Sequence, residues 1–212
     1  MTRVVILGAG TFAIEVLEAI ELAGVLEPLG FVVSEAKWLV HPTHGGLPVV
    51  SMDEMAWTPK DTLAIGGIVS TGRRPFIAAI ADRGFDFATV THPSATVSPR
   101  ATFGTGCFVG ARVIVASNAR IEAHVLLNRG ANVGHDVTIE AFTTIGPGVT
   151  IAGCVTVGSG AYLGVGAVVR DHVSIGQGAI VAAGATVVKP VPPRTLVAGC
   201  PARVVRENVI PL

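Results

Sequence analysis

The chain has 212 residues; half are hydrophobic, 14% are charged, 5% are aromatic and 26 are glycine. That balance excludes a disordered, collagen-like or coiled-coil protein, and the length allows one large domain or two small ones. The formal net charge is zero, so no strong pull toward nucleic acid or an anionic membrane is expected.

Mean hydropathy is high at +0.63. Glycines and polar residues nevertheless break every apolar run before it reaches the 18 or so residues a spanning helix needs. The opening MTRVVILGAG enters a strand-like segment directly, without the h-region and cleavage site of a signal peptide. Cys107, Cys154 and Cys200 are odd in number and widely spaced, with no metal-ligand pattern. They fit small buried hydrophobes in a reducing cytoplasm.

Residues 1–90 alternate strand and helix signals. RVVILGAG reads as a buried strand ending in a glycine turn. TFAIEVLEAIELAG follows as a helix, with Phe12, Val16, Ala19 and Ile20 on one face and Gly24 as its stop. LGFVVS and TLAIGGIVS read as further strands, GRRPFIAAIADRG as a helix with Pro75 in its first turn, and FDFATV as a last strand. This alternation implies a small parallel sheet with helices packed against it.

Residues 91–190 keep a different rhythm. From Val97, every sixth residue through Val187 is an aliphatic or phenylalanine: sixteen consecutive positions without an insertion. Two residues before each, the side chain is mostly small or β-branched, as at Ala95, Ala101, Cys107 and Val113. A period of six is the signature of a parallel β-helix, in which three hexads make one triangular coil. The large residues fill the prism and the small ones pack near its corners. One coil cannot offset the entropy of ordering its own backbone, so stacking must carry the stability. In the tail, residues 191–212, the rhythm stops. Pro190, Pro192, Pro193 and Pro201 are expected to end the ladder, leaving the tail to cover the last coil.

The order of these parts is an α/β segment, the link THPSATVSP, the hexads, and then AGCPARVV. It resembles the hexapeptide-repeat sugar O- and N-acetyltransferases related to sialic acid O-acetyltransferase and to bacterial nucleotide-sugar N-acetyltransferases. The resemblance implies a mainly β fold: a left-handed parallel β-helix preceded by a small Rossmann-like α/β domain. It further implies a homotrimer with acetyl-CoA in the cleft between neighbouring β-helices, no metal, and a catalytic histidine within LNRGANVGHD.

Residue arithmetic places that histidine. His135 lies two residues past the inward Val133, at a corner, pointing outward. One coil on, 18 residues later, the same corner carries Gly153. A proton acceptor is thus expected one layer, about 4.8 Å, from a bare backbone amide, which suits acyl transfer. By resemblance, His135 is the general base, Asp136 orients its ring, and the Gly153 amide binds the thioester oxygen. Asn128 matches the position that contacts the acceptor sugar. Thr144 falls where relatives carry a second histidine beside the thioester. Ala152, Gly164, Ala182 and Gly184 lie on coil edges where the pantetheine arm should run, and Arg203 is a candidate for CoA phosphates. Read without the resemblance, a corner histidine is simply solvent-exposed, aspartate suits any turn, and Arg203 is a surface charge. His92 is expected to cap or pack the domain junction, and His124 and His172 to lie on the surface.

LGAGTFA follows a strand and opens a helix, so its amides can meet an anion. It reads G-x-G-x-x-A, a weak dinucleotide fingerprint. A segment of about 90 residues is short for a two-halved dinucleotide domain, so a nucleotide sugar fits better. Gly8, Gly10, Thr11 and Phe12 are candidates for that contact, with Glu35 for ribose hydroxyls; the bland alternative is a tight turn.

The leading expectation is N-acetylation of a nucleotide-linked amino sugar by acetyl-CoA. O-acetylation or a longer acyl group is the near alternative. A trimeric zinc β-helix enzyme of the carbonic anhydrase type fits poorly, because His124 falls on a different corner from His135 and His172. A non-catalytic scaffold is the third.

Overall fold

The protein is seen in a computed structural model, which describes residues 1–210. The first segment comprises β1 (Thr2–Leu7), α1 (Thr11–Ala23), β2 (Leu26–Val33), β3 (Thr43–His44), β4 (Leu47–Ser51), β5 (Thr62–Gly66) and α2 (Arg74–Asp82). The sheet order is β3-β4-β2-β1-β5. Its pairings are parallel except β3 on β4. Alternation along β1 sends side chains to opposite faces. Val4 and Ile6 pack with α1, whereas Val5 and Leu7 pack with Phe76, Ile77 and Ile80 of α2. Helix α1 stops because Gly24 turns left-handed at φ 64° and returns its amide to Ile20 O at 3.0 Å.

Two details differ from expectation. The strands β3 and β4 were not legible, and FDFATV is not a strand of this sheet. Only a bridge between Ala64 and Phe87 forms there. The chain then leaves the sheet, and Val90–Thr91 already pairs with Phe108–Val109 as the first rung of the next unit.

From that rung on, strands two residues long pair in parallel with the strand 18 residues ahead. Three ladders result, and they form the three faces of a prism. One, the open face, runs through Thr96–Val97, Ile114–Val115, Asn132–Val133, Thr150–Ile151, Val168–Val169 and Thr186–Val187. The next, the polar face, directs Thr102, Arg120, Thr138, Thr156 and Ser174 outward. The third, the docked face, directs Phe108, Leu126 and Thr144 against the α/β segment, where all three are buried. Phe12 of α1 meets Phe108 edge-on at 5.3 Å. The hexad aliphatics from Val109 to Val187 are buried and form one continuous core with the small residues two places before them.

The tail does more than cover an end. Val191 bridges Ile175, and Leu196–Gly199 pairs in parallel with Ile180–Val181 before turning back antiparallel into Ala202–Arg206. The prolines do not stop this, because they flank the bonding residue: Val191 N donates to Ser174 O at 2.8 Å. Gly176 N, Ile180 N and Ala182 N donate to Val191 O, Thr195 O and Val197 O at 2.8–2.9 Å. Pro190, Pro192 and Pro193 themselves lack an N–H to donate, and the ladder does not call on one at those positions. The cysteines also divide: Cys107 is buried, Cys154 half-buried and Cys200 exposed, so only the first behaves as a core hydrophobe.

Candidate active site

Each corner begins after an inward residue, and from Gly106 to Gly184 the third residue of the corner turns left-handed. In the column at the open/polar corner these are Asn118, Asp136, Cys154 and His172, with φ between 56° and 61°. Asparagine and aspartate tolerate that region better than most residues. The turn at Asp136 folds its carboxylate back toward the residue before it. His135 Nδ1 and Asp136 Oδ2 are therefore 2.8 Å apart, although they are chain neighbours. Asn118, one coil earlier, donates from Nδ2 to Asp136 Oδ1 at 3.1 Å. These hydrogen bonds, His135 first and Asn118 second, hold the Asp136 carboxyl below the usual carboxylate range.

With Nδ1 facing a carboxylate, the proton of the neutral ring belongs on Nδ1, and Nε2 keeps its lone pair. Nε2 overlies Gly153: a Cβ built there would fall 2.5 Å from it. Only glycine leaves room for the ring. On either side of Gly153, Ala152 N and Cys154 N donate to Val169 O and His135 O at 3.0 and 2.9 Å. Among the described residues the Gly153 amide takes no such partner. His135 and Asp136 are both exposed. Beside them on the polar face opens a cleft of about 600 Å³ lined by Arg100, Asn118, Arg120 and Asp136.

The remaining candidates scatter. Ala152 shares the corner of His135. Asn128, Gly164, Ala182 and Gly184 lie at the docked/open corner, across the open face from it. Gly184 is left-handed at φ 67° with open space around it. Asn128 is nearly buried and accepts from Arg129 N at 2.8 Å. Arg129 in turn reaches Glu15 of α1 at 2.9 Å. Together with Glu18, His92 and Gly110, these last two line a cleft of about 240 Å³. His92 Nδ1 accepts from Ser94 N at 3.0 Å, a local cap.

Two expectations are corrected. Thr144 is fully buried, accepting from Arg73 Nη1 at 2.8 Å and donating to Val69 O at 3.0 Å. It bolts the two units together and has no access to a thioester. His124 is not a surface residue: its ring stacks on Phe142 at 4.8 Å and meets Phe87 edge-on at 4.7 Å. Burial, and then the charge of Arg73, push it down to about 4. Phe12 spends its ring on Phe108 at the junction.

In the glycine turn, Gly8 has φ 106° and a Cβ there would lie 2.6 Å from Ile68 Cγ1, so backbone and packing both require that glycine. Gly10 caps α1 in open space, with His44 Nε2 at 3.2 Å from its carbonyl. Thr11 is exposed at the helix start. Glu35 is exposed and paired with Lys37 at 2.8 Å. Arg203 is exposed, donates to Ala202 O at 2.9 Å, and shares a small cleft with Lys189. Sequence reasoning missed Asn118 and Cys154, which the same 18-residue step places above and below Asp136. It also missed Arg73, which no periodicity marks.

No protein-family model and no curated protein matches the sequence. Solved structures do. A perosamine N-acetyltransferase from Caulobacter crescentus, solved with CoA and GDP-perosamine, is 33% identical over 97% of both chains, with a TM-score of 0.86. The acetyltransferase domain of PglB from Neisseria gonorrhoeae, with acetyl coenzyme A, is 28% identical over 96% of this chain and 99% of that one, TM-score 0.89. WeeI from Acinetobacter baumannii is 26% identical over 96% and 100%, TM-score 0.88. Fold and neighbours define the class as an acyltransferase that takes its acyl group from acetyl-CoA. The chain belongs to the hexapeptide-repeat sugar acetyltransferases, with the perosamine enzyme as a relative spanning nearly its whole length.

Proposed function

We propose that this enzyme N-acetylates the amino group of a nucleotide-linked amino sugar, with His135 as the general base. The observation that carries this is the stack at the open/polar corner: Nδ1 held by Asp136, Nε2 free above Gly153, and a Gly153 amide without a partner. Nε2 takes a proton from the acceptor amine as nitrogen attacks the thioester carbonyl. Asp136 stabilises the imidazolium that forms. The Gly153 amide meets the negative charge on the carbonyl oxygen in the tetrahedral intermediate. Collapse expels the CoA thiolate, which the imidazolium can reprotonate. An amine acceptor is favoured by the likeness to an enzyme solved with GDP-perosamine. In the cleft beside α1, Glu15 is already paired with Arg129, which leaves Glu18 as the carboxylate open to an amino sugar. The glycine turn of Gly10 and Thr11 is assigned the nucleotide diphosphate, at a helix N-terminus.

The site is completed by a second copy in a homotrimer. The docked/open corner with Gly164, Ala182 and Gly184 is on the far edge of the open face from His135, so one chain cannot bring them together. The open face and its edge expose Ile114 (48%), Val165 (54%) and Val168 (42%), an apolar strip suited to self-association. Apposed open faces place one copy's glycine-lined corner against the next copy's His135, leaving a groove for pantetheine. No helix among the described residues is long and apolar enough to cross a membrane.

The test is His135→Ala, assayed with acetyl-CoA against UDP-, GDP- and dTDP-amino sugars. Turnover should fall by about 10²–10⁴-fold, the usual worth of a positioned base, with oligomer size and melting temperature unchanged. Undiminished turnover refutes the assignment of the base. Acetylation confined to sugars lacking a free amine refutes the amine acceptor.

A further inference from the structure

Beneath Asp136 the corner column carries Cys154, which plays no part in the chemistry above. One ligand atom each from His135, Asp136 and Cys154 lie within 4.8 Å of one another. Imidazole nitrogen, carboxylate oxygen and thiolate sulfur are the three donor types that zinc takes, at about 2.0–2.3 Å. A tetrahedral zinc needs its ligands roughly 3.3–3.6 Å apart at those bond lengths, so side-chain movements of about an ångström would close the set. His135 and Asp136 are exposed and Cys154 is half-buried, so the chains have room to make that movement. Cys154 and Asp136 also share the left-handed corner conformation, at φ 58° and 56°. Their side chains therefore leave the prism in the same sense, one layer apart.

We propose that His135, Asp136 and Cys154 form an inhibitory site for zinc or a similar thiophilic divalent ion, one that switches the enzyme off by capping its base. The inference rests on the reading of His135 as that base. Either mode of ligation has the same result. Zinc on Nε2 occupies the lone pair that would accept the substrate proton. Zinc on Nδ1 forces the one remaining ring proton onto Nε2, which then donates and cannot accept. Binding releases the Cys154 thiol proton; no redox step is involved, and the fourth position is left to water. Three ligands with an open fourth position match the open sets of zinc sites that keep a water and not the closed sets of structural ones, and the exposure of His135 and Asp136 leaves the ion within reach of a chelator.

Cobalt(II) gives a readout independent of activity. Adding it to the purified full-length protein should produce a thiolate-to-cobalt charge-transfer absorption that saturates at one ion per chain. Zinc should displace it. Cys154→Ser should abolish the band, and His135→Asn should weaken it at least tenfold in apparent affinity. In the acetyl-transfer assay, zinc buffered at defined free concentrations should inhibit the unaltered enzyme, with reversal by chelator. Acetylated product is best read by chromatography, because released CoA thiol itself binds zinc. Cys154→Ser should keep its metal-free turnover and resist at least tenfold more zinc. Absence of the band, or its persistence in Cys154→Ser through Cys200, overturns the metal site. A Cys154-dependent band with undiminished turnover in saturating zinc keeps the metal site and refutes His135 as the base.

Discussion

At the scale of single residues, the corner explains why His135 needs the neighbours it has. Gly153 contributes a missing side chain as much as an amide, since its Cβ position is taken by the imidazole. Its backbone is not left-handed, so alanine is conformationally acceptable there. Gly153→Ala should leave the melting temperature close to that of the parent, while pushing the ring off the carbonyl's path. A displacement of about an ångström costs about 10²-fold in rate, and kcat should carry the loss. A large loss of stability instead would show that the ring and the glycine are coupled through folding. Asp136→Asn keeps a residue suited to φ 56° but removes the charge proposed to stabilise imidazolium. Turnover should fall by about 10²-fold, with little change in KM for acetyl-CoA; an equal rise in KM with unchanged kcat would argue for a binding role.

At the scale of elements, the hexads were legible because the core imposes them. Each inward position must be large and apolar, and sixteen such positions declare the prism whatever lies outside. The corner column was half legible: counting by 18 put His135 over Gly153, but nothing in the spacing announced that the third corner residue turns left-handed, and that turn brings Asp136 onto the ring. Outward positions answer to the neighbouring unit. Phe108 and Leu126 stand where the polar face has Thr102 and Arg120, a contrast that could have identified the docked face. Arg73 could not have been found, because a guanidinium that donates to Ser70 O, Thr144 Oγ1 and His124 O is placed only by tertiary structure. That junction makes a prediction of its own. His124 sits near Arg73, between Phe87 and Phe142, and is held down to about 4, against about 6.5 in an unfolded chain. Between those values the unfolded chain binds a proton that the folded one refuses, so stability falls as pH drops from 6.5 toward 4. Above 6.5 this group contributes no slope, and Asp136, depressed below 3.8, adds its own loss only beneath the window. Melting temperatures across pH 4–7 should show the decline in the unaltered protein. His124→Asn, which suits φ 59°, should be flatter across that range; equal slopes would assign the acid lability elsewhere.

At the scale of the whole molecule, the proposed function has the two corners that flank the open face divide the chemistry between them. His135, Asp136 and Gly153 stand on one edge; Gly164, Ala182 and Gly184 stand on the other. If open faces meet around a threefold axis, each active site takes its base from one copy and its pantetheine wall from the next, and two separately disabled chains can repair each other. His135→Ala removes the base alone. Gly184→Asn narrows the cleft alone, since asparagine tolerates the left-handed turn and open space surrounds that position. Each variant by itself should be nearly inactive, the second through a raised KM for acetyl-CoA. In trimers assembled randomly from equal amounts of both, a site is intact when an asparagine-bearing chain supplies the histidine and an alanine-bearing chain supplies the glycine. In a closed heterologous ring that contains both chains, 2:1 or 1:2, this is met at one of the three sites. Co-expression with two different affinity tags, isolation of doubly tagged protein and measurement of turnover per site would show it. Recovery to about a third of the parent rate in the doubly tagged trimers requires a site shared between copies. Turnover no higher than the average of the two single variants would confine each site to one chain, and the apolar strip of Ile114, Val165 and Val168 would then need another purpose.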